Sequence, residues 1–122
     1  MAAPNLVNVT SIYGKTMGAA LGTTLTTTLL TCASNKVLKI NSIIVANVDG
    51  TNAADASVTF YDSSATASYR LASTVSVPAD STLIVLGKDS PIYLEESDEI
   101  RGGAGAASDL EITISYEELD DA

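Results

Sequence analysis

The chain has 122 residues, the length of a single domain, and its fifteen Asp and Glu against six Lys and Arg give a net charge of −9. A chain this acidic repels phosphate groups, so we expect no nucleic acid and no membrane among its partners. It has no His and a single Cys, which removes the commonest general base and excludes Cys-based zinc sites and disulfides within the chain. We therefore expect no enzyme activity, no cofactor and no bound metal.

The N-terminal 22 residues begin with a short apolar alternation and continue as GKTMGAALG, whose small side chains offer few packing contacts. We expect residues 1–22 to form an extended N-terminal arm, and residues 23–122 to form one domain. An arm with apolar side chains is suited to contacting a partner. The arm residues that we expect to make this contact are Leu6, Val7, Val9, Ile12 and Tyr13.

The next segments read as strands. TTLTTTLLTCA, residues 23–33, is rich in β-branched Thr, which favours a pleated strand over a helix. KVLKINSIIVAN, residues 36–47, begins as an alternation with Leu38, Ile40, Ser42 and Ile44 on one face, and then becomes apolar on both faces. That pattern is typical of a strand with neighbours on both sides. DGTN, residues 49–52, predicts a turn.

Alternation with a period of two recurs to the end of the chain. It predicts strands over 56–62, 68–77, 81–87 and 92–95, a short piece around Ile100, and a last strand with Leu110, Ile112, Ile114 and Tyr116 on one face. GGAGAAS, residues 102–108, reads as a flexible loop. Seven to nine short strands without a helical period predict an all-β fold, an antiparallel two-sheet β-sandwich with either a jelly-roll or an immunoglobulin-like strand order.

Two short motifs resemble binding sites. Gly14-Lys15-Thr16 is the end of a phosphate-binding loop, but Val9 stands where that motif needs its first Gly, so we read the segment as part of the arm. Asp49, Asn52 and Asp55 offer oxygen ligands for calcium. Their spacing does not follow the calcium-loop register, and a plain turn is the preferred interpretation.

The stretch SPIYLEESDEIRG, residues 90–102, places Glu95, Glu96, Asp98 and Glu99 together. Two carboxylates could hydrolyse a sugar or hold a cation, but a sugar site needs aromatic platforms, and the chain has no Trp and one Phe. We expect a solvated acidic bend between two strands, with a bridging cation in an oligomer as the alternative.

The only two arginines are Arg70 and Arg101, each on a predicted strand. Each could pair with the acidic C-terminal quarter of a neighbouring subunit, or each could be an ordinary surface charge.

The succession IIVANVDGT, VTFYDSSA, VSVPADSTLIVL, PIYLEESDEIRG and LEITISYEEL, over residues 36–119, resembles small virion proteins of tailed bacteriophages, in particular those of marine and cyanobacterial phages. In EESD this sequence has Ser97 where proteins of that kind have Gly. The resemblance implies a β-sandwich virion component without catalytic residues.

The resemblance and the composition together lead to one expected function and two alternatives. The expected function is a capsid decoration or cement protein that binds the major capsid protein and other virion proteins. It would oligomerise, with a trimer favoured, and be located on the capsid surface of a virion assembled in the bacterial host cytoplasm. The alternatives are a tail, neck or spike component that contacts a host receptor, and a non-viral, calcium-dependent carbohydrate-binding or adhesion module.

Overall fold

The computed structural model describes residues 9–120, and these residues form nine β-strands and no helix. The strands are β1 (Ser11–Ala20), β2 (Thr28–Thr31), β3 (Lys36–Asn47), β4 (Ala54–Asp62), β5 (Ala67–Val77), β6 (Thr82–Leu86), β7 (Ile92–Leu94), β8 (Glu99–Ala104) and β9 (Leu110–Asp120). Two antiparallel sheets pack together, so the predicted all-β sandwich is confirmed.

The strand order is that of a jelly roll. Sheet A has the order β1-β9-β3-β6, with β7 also on β3, and sheet B has the order β2-β8-β4-β5. Because β6 and β7 pair with successive stretches of β3, they act as one interrupted edge strand. Strands from the start of the chain thus pair with strands from its end, in nested order: β1 with β9, β2 with β8, β3 with β6 and β7, and β4 with β5. This nested pairing decides between the two strand orders that the sequence left open.

The core lies between the two sheets and is almost entirely aliphatic. Full burial of a side chain of this kind contributes roughly 1.5–3 kcal/mol relative to exposure. The largest fully buried side chains are Leu21, Leu38, Ile40, Ile43, Val45, Val58, Val77, Leu94, Ile100, Leu110, Ile112 and Ile114. The face of β9 that we expected to be apolar does point into this core.

A β-bulge in β3 changes which side chains face the core. The register with β9 shifts between Ile40 and Ser42, so that one extra residue is inserted in β3. An inserted residue exchanges the two faces of a strand beyond it. Ile43 is fully buried, whereas Ser42 and Ile44 are half-buried. The prediction that Ser42 and Ile44 share a face with Leu38 and Ile40 is therefore wrong.

The prediction of a loop over residues 102–108 is wrong for its first three residues, which belong to β8 and are buried. Gly102 and Gly103 are needed here for space. A Cβ atom on Gly103 would lie 2.6 Å from the carbonyl oxygen of Thr24, and one on Gly102 would lie 2.7 Å from that of Ser57. At Gly103 the main chain of Thr24 and Leu25 passes directly over β8, and at Gly102 the limiting oxygen belongs to the neighbouring strand β4. Only Gly permits these approaches.

The structure differs from the expected arm over residues 11–20. These residues form β1, which pairs with β9 at ten consecutive positions, from Ser11 opposite Asp120 to Ala20 opposite Glu111. Small side chains do not prevent strand formation when a neighbouring strand offers main-chain partners along its whole length. Residues 1–8, and with them Leu6 and Val7, lie outside the described part of the chain.

Candidate functional site

Of the five arm residues expected to contact a partner, two are prominently exposed in the structure. Ile12 and Tyr13 lie at the start of β1 with 57% and 49% of their surface exposed, and Val9 is half-buried. Since neighbouring residues in a strand point to opposite faces, Ile12 and Tyr13 cannot form one continuous patch within a single copy.

Next to Tyr13, a cluster of charged residues joins the ends of three strands of sheet A. The Lys15 ammonium lies 3.2 Å from a carboxylate oxygen of Glu118, and the Lys36 ammonium lies 3.3 Å from the same oxygen and 3.4 Å from Asp120. The hydrogen bond to Glu118 raises the pKa of Lys36 above its ordinary value. Two of the six cations are thus neutralised within the chain. These ion pairs could not be predicted from the sequence, because more than 80 residues separate the partners.

The structure brings the two arginines together on the outer face of sheet B. Thr59 in β4 stands opposite Arg70 in β5 on one side and opposite Arg101 in β8 on the other. With Leu25 and three polar neighbours, the arginines line a shallow cavity of about 60 Å³. The sequence shows only that both lie on strands, since strand pairing is what makes them neighbours.

The two arginines differ in what holds them. The guanidinium of Arg101 donates a hydrogen bond of 2.7 Å to Glu99 and lies 3.8 Å from the centre of the Tyr61 ring. The hydrogen bond from Arg101 is the main cause of a lowered pKa at Glu99, which also accepts a hydrogen bond from Thr28. Arg101 is therefore held within its own sheet, whereas Arg70 is exposed. Of the two, Arg70 is the one available to a neighbouring subunit.

The acidic stretch around Glu95 is only partly a solvated bend. Glu95 is exposed, as predicted, but Asp98 is 4% exposed. Its two carboxylate oxygens accept hydrogen bonds of 3.0 Å from the main-chain N–H groups of Ser63 and Glu95. The prediction that Asp98 is solvated is wrong, because this carboxylate joins the β7–β8 turn to the β4–β5 loop.

The DGTN segment forms the predicted turn, and Asn47 organises it. The buried Asn47 side chain donates to the carbonyl oxygens of Asn52 and Val77 and accepts from the N–H of Asp49. Asp49 in turn accepts a hydrogen bond of 2.8 Å from the N–H of Thr51, which lowers its pKa. Within residues 9–120, no group of three or more His, Cys, Asp or Glu side chains is placed to hold a metal ion.

Cys32, the single cysteine, is buried at the end of β2. Its thiol donates a hydrogen bond of 3.2 Å to the carbonyl oxygen of Lys36. Burial raises the pKa of the Cys32 thiol to about 11. Because a thiol reacts as its thiolate, Cys32 is an inert packing residue at neutral pH.

An apolar crevice opens between the two sheets on the side opposite β1. It has a volume of about 120 Å³ and is lined by Phe60 and Leu71 of sheet B and by Ile92 and Tyr93 of sheet A. Tyr69, which stands opposite Phe60, is exposed beside it. Sequence reasoning missed this crevice because periodicity does not show which two strand edges meet.

The described residues contain no helix of the length and apolarity that a membrane-spanning helix requires. In three comparisons with known proteins, the chain matches no protein-family model, no curated protein and no solved structure.

Proposed function

We propose that this protein is a structural component of a bacteriophage virion, and that it decorates the capsid by binding the major capsid protein. The observation that carries the proposal is the jelly-roll strand order, because capsid proteins are prominent among the proteins built on this arrangement. The resemblance of residues 36–119 to small phage virion proteins supports the same assignment. A fold by itself does not define a function, so the proposal depends on these two supports together.

The proposal includes a way for such a protein to engage a shell. Residues 1–8 precede an edge strand whose first residues, Ile12 and Tyr13, are exposed. A segment that orders on a neighbouring protein gains main-chain hydrogen bonds and apolar contacts when it binds. In this proposal, residues 1–8 with Leu6 and Val7 make the capsid contact, and β1, as a strand of sheet A, holds them to the sandwich.

The experiment is a measurement of copy number in phage particles whose genome encodes the chain. We expect a number comparable to that of the major capsid protein, whereas a number typical of a tail component would contradict the proposal. In a second step, deletion of residues 1–8 should lower the occupancy of the capsid while the purified protein still unfolds cooperatively on heating. Residues 11–20 must be retained, because their removal would take away β1 itself.

One observation favours a second candidate, a tail or spike component that contacts a host receptor. Tyr69 is exposed beside the apolar crevice of Phe60, Leu71, Ile92 and Tyr93, and aromatic side chains at a crevice are suited to holding a small ligand. Binding of the purified protein to host cells, lost on Tyr69→Ser and kept on Ile84→Ser, would support this candidate. Ile84 is a suitable control because it is also an exposed large apolar side chain and lies on another strand.

A further inference from the structure

The four outer edges of the two sheets are not protected equally against pairing with another chain. β2 has only four residues, and β6 and β7 are short and separated by a turn that ends at Pro91. β5 carries two register irregularities and a left-handed residue, Thr74, with φ 51°. Short length, proline and bulges are the features by which native sheets avoid edge-to-edge association.

β1 has none of these features. It runs for ten residues in unbroken register with β9, without a bulge or a left-handed residue, and no strand within residues 9–120 pairs with its other side. Lys15 is its only charged residue. In a chain with a net charge of −9, this edge is a place where two copies can approach with little acidic repulsion.

The direction of the main-chain groups along β1 follows from one hydrogen bond. The N–H of Leu21 donates to the carbonyl oxygen of Leu110, in the same register as the ten strand pairs. Hydrogen-bonded positions alternate along an antiparallel pair, so odd-numbered residues of β1 bond to β9. The N–H and C=O groups of the even-numbered residues therefore point to the free edge: Ile12, Gly14, Thr16, Gly18 and Ala20.

We propose that β1 pairs with β1 of a second copy, antiparallel and around a twofold axis at Thr16, so that sheet A becomes continuous across the dimer. This inference does not depend on where the protein acts. In a twofold contact of this type, residues that stand opposite each other must point to the same face of the sheet. The axis therefore passes through one residue of β1 and not between two residues. Centring on Lys15 would set two ammonium groups directly opposite each other, which is unfavourable. Centring on Thr16 places Lys15 opposite Met17 of the second copy.

The register centred on Thr16 also fits the shape of the edge. It pairs Gly14 with Gly18 and Ile12 with Ala20 of the second copy, and it uses all five free N–H groups of each strand. A shallow depression of about 310 Å³ lies next to Ala20, where β1 pairs with β9, and is formed by Gly18, Ala19, Ala20, Glu111, Ile112 and Thr113. The exposed side chain of Ile12 from the second copy would lie against this depression.

The first test is the mass of the protein in solution, measured by sedimentation or light scattering over a range of concentrations. We expect a dimer of twice the 12.5 kDa chain mass, or an even multiple of the chain. Thr16→Lys should raise the dissociation constant by about fivefold or more, since it places two charges opposite each other at the axis. Thr82→Lys, the same change at an exposed site on β6, should not alter it. A monomer, a trimer, or equal effects of the two variants would overturn the proposal.

The second test addresses the register. Thr16→Cys places two thiols opposite each other, within the range of Cα distances that a disulfide spans, so mild oxidation should give a covalent dimer. Lys15→Cys should not, because Met17 of the second copy stands opposite it and the second copy's residue 15 lies two residues further along the strand. Native Cys32 is buried, so the unsubstituted chain serves as the background. A covalent dimer from Lys15→Cys and none from Thr16→Cys would overturn the assignment to Thr16.

Discussion

Asp98 and Glu95 lie three residues apart in the same acidic turn, and their surroundings give them different roles. Glu95 is exposed, while the Asp98 carboxylate accepts two main-chain hydrogen bonds from otherwise separate loops. Both are acidic residues in a polar stretch, so the sequence could not distinguish them. The difference arises from the packing of the β4–β5 loop against the turn, which is a tertiary contact across 35 residues.

We expect Asp98→Ala to lower the free energy of unfolding by about 2 kcal/mol or more, because hydrogen bonds to charged groups contribute roughly 1.5–3 kcal/mol. Glu95→Ala should change it by less than about 0.5 kcal/mol, as is usual for exposed sites. Urea unfolding of both variants measures the contrast. Equal losses for the two variants would show that Asp98 has no special role.

Cys32 gives a prediction for alkaline pH. The folded chain keeps the thiol protonated up to a pKa of about 11, whereas in the unfolded chain the thiol ionises near its ordinary value of 9.0. Between these values the unfolded state binds fewer protons, so the stability that this group contributes is complete below pH 9 and decreases as pH rises towards 11.

The measurement is urea unfolding of the protein and of Cys32→Ala at several pH values in that range. Tyr and Lys side chains also titrate there, and the comparison with the variant removes their contribution. We expect the difference in stability between the two proteins to shrink with rising pH. A constant difference would mean that Cys32 does not ionise on unfolding in this range.

At the scale of the strands, most elements could be predicted from the sequence, because the alternation of apolar and polar residues shows which side chains are buried on folding. It failed at β3, where the bulge after Ile40 exchanges the two faces, and at β8, where glycines suggested a loop. A bulge depends on the partner strand, and Gly103 of β8 is explained only by the main chain of Thr24 and Leu25 that crosses it. Neither feature has a local signature.

Gly103→Ala should lower the free energy of unfolding by about 1–3 kcal/mol, the usual cost of adding an atom to a filled space. The added Cβ would meet main-chain atoms of Thr24 and Leu25, which cannot rotate away. Gly105→Ala is the matched control, since its Cβ would make only ordinary contacts with Asp55 at 3.6 Å. If both variants unfold at the same urea concentration, the close approach at Gly103 is not a constraint.

At the scale of the whole molecule, the two-sheet architecture could be predicted, but the jelly-roll order could not. Periodicity shows which face of a strand is buried, but it does not show which other strand is its neighbour in the sheet. The same limitation hid the row of Arg70, Thr59 and Arg101, and it led us to assign residues 11–20 to an arm. In each case the missing information was the identity of a strand's neighbour.

The excess of acidic residues also has a consequence for the whole molecule. Fifteen acidic groups on one small domain repel one another more strongly in the compact state than in the unfolded chain. Raising the salt concentration from about 10 mM to about 150 mM shortens the screening length from roughly 30 Å to 8 Å. We expect the melting temperature to rise over this range, as measured by circular dichroism at constant pH. A fall would mean that the Lys15, Lys36 and Arg101 ion pairs outweigh the repulsion.

The position of β9 in sheet A determines when the protein can fold. β9 lies between β1 and β3, so two strands from the first half of the chain have no common neighbour until residues 110–120 are available. On the ribosome, the edges of β1 and β3 that face β9 therefore stay unpaired until residues 110–120 have been synthesised. Contacts between segments so distant in sequence also make folding slow. The interval between synthesis and closure of sheet A is the period in which this chain is most exposed to aggregation and proteolysis.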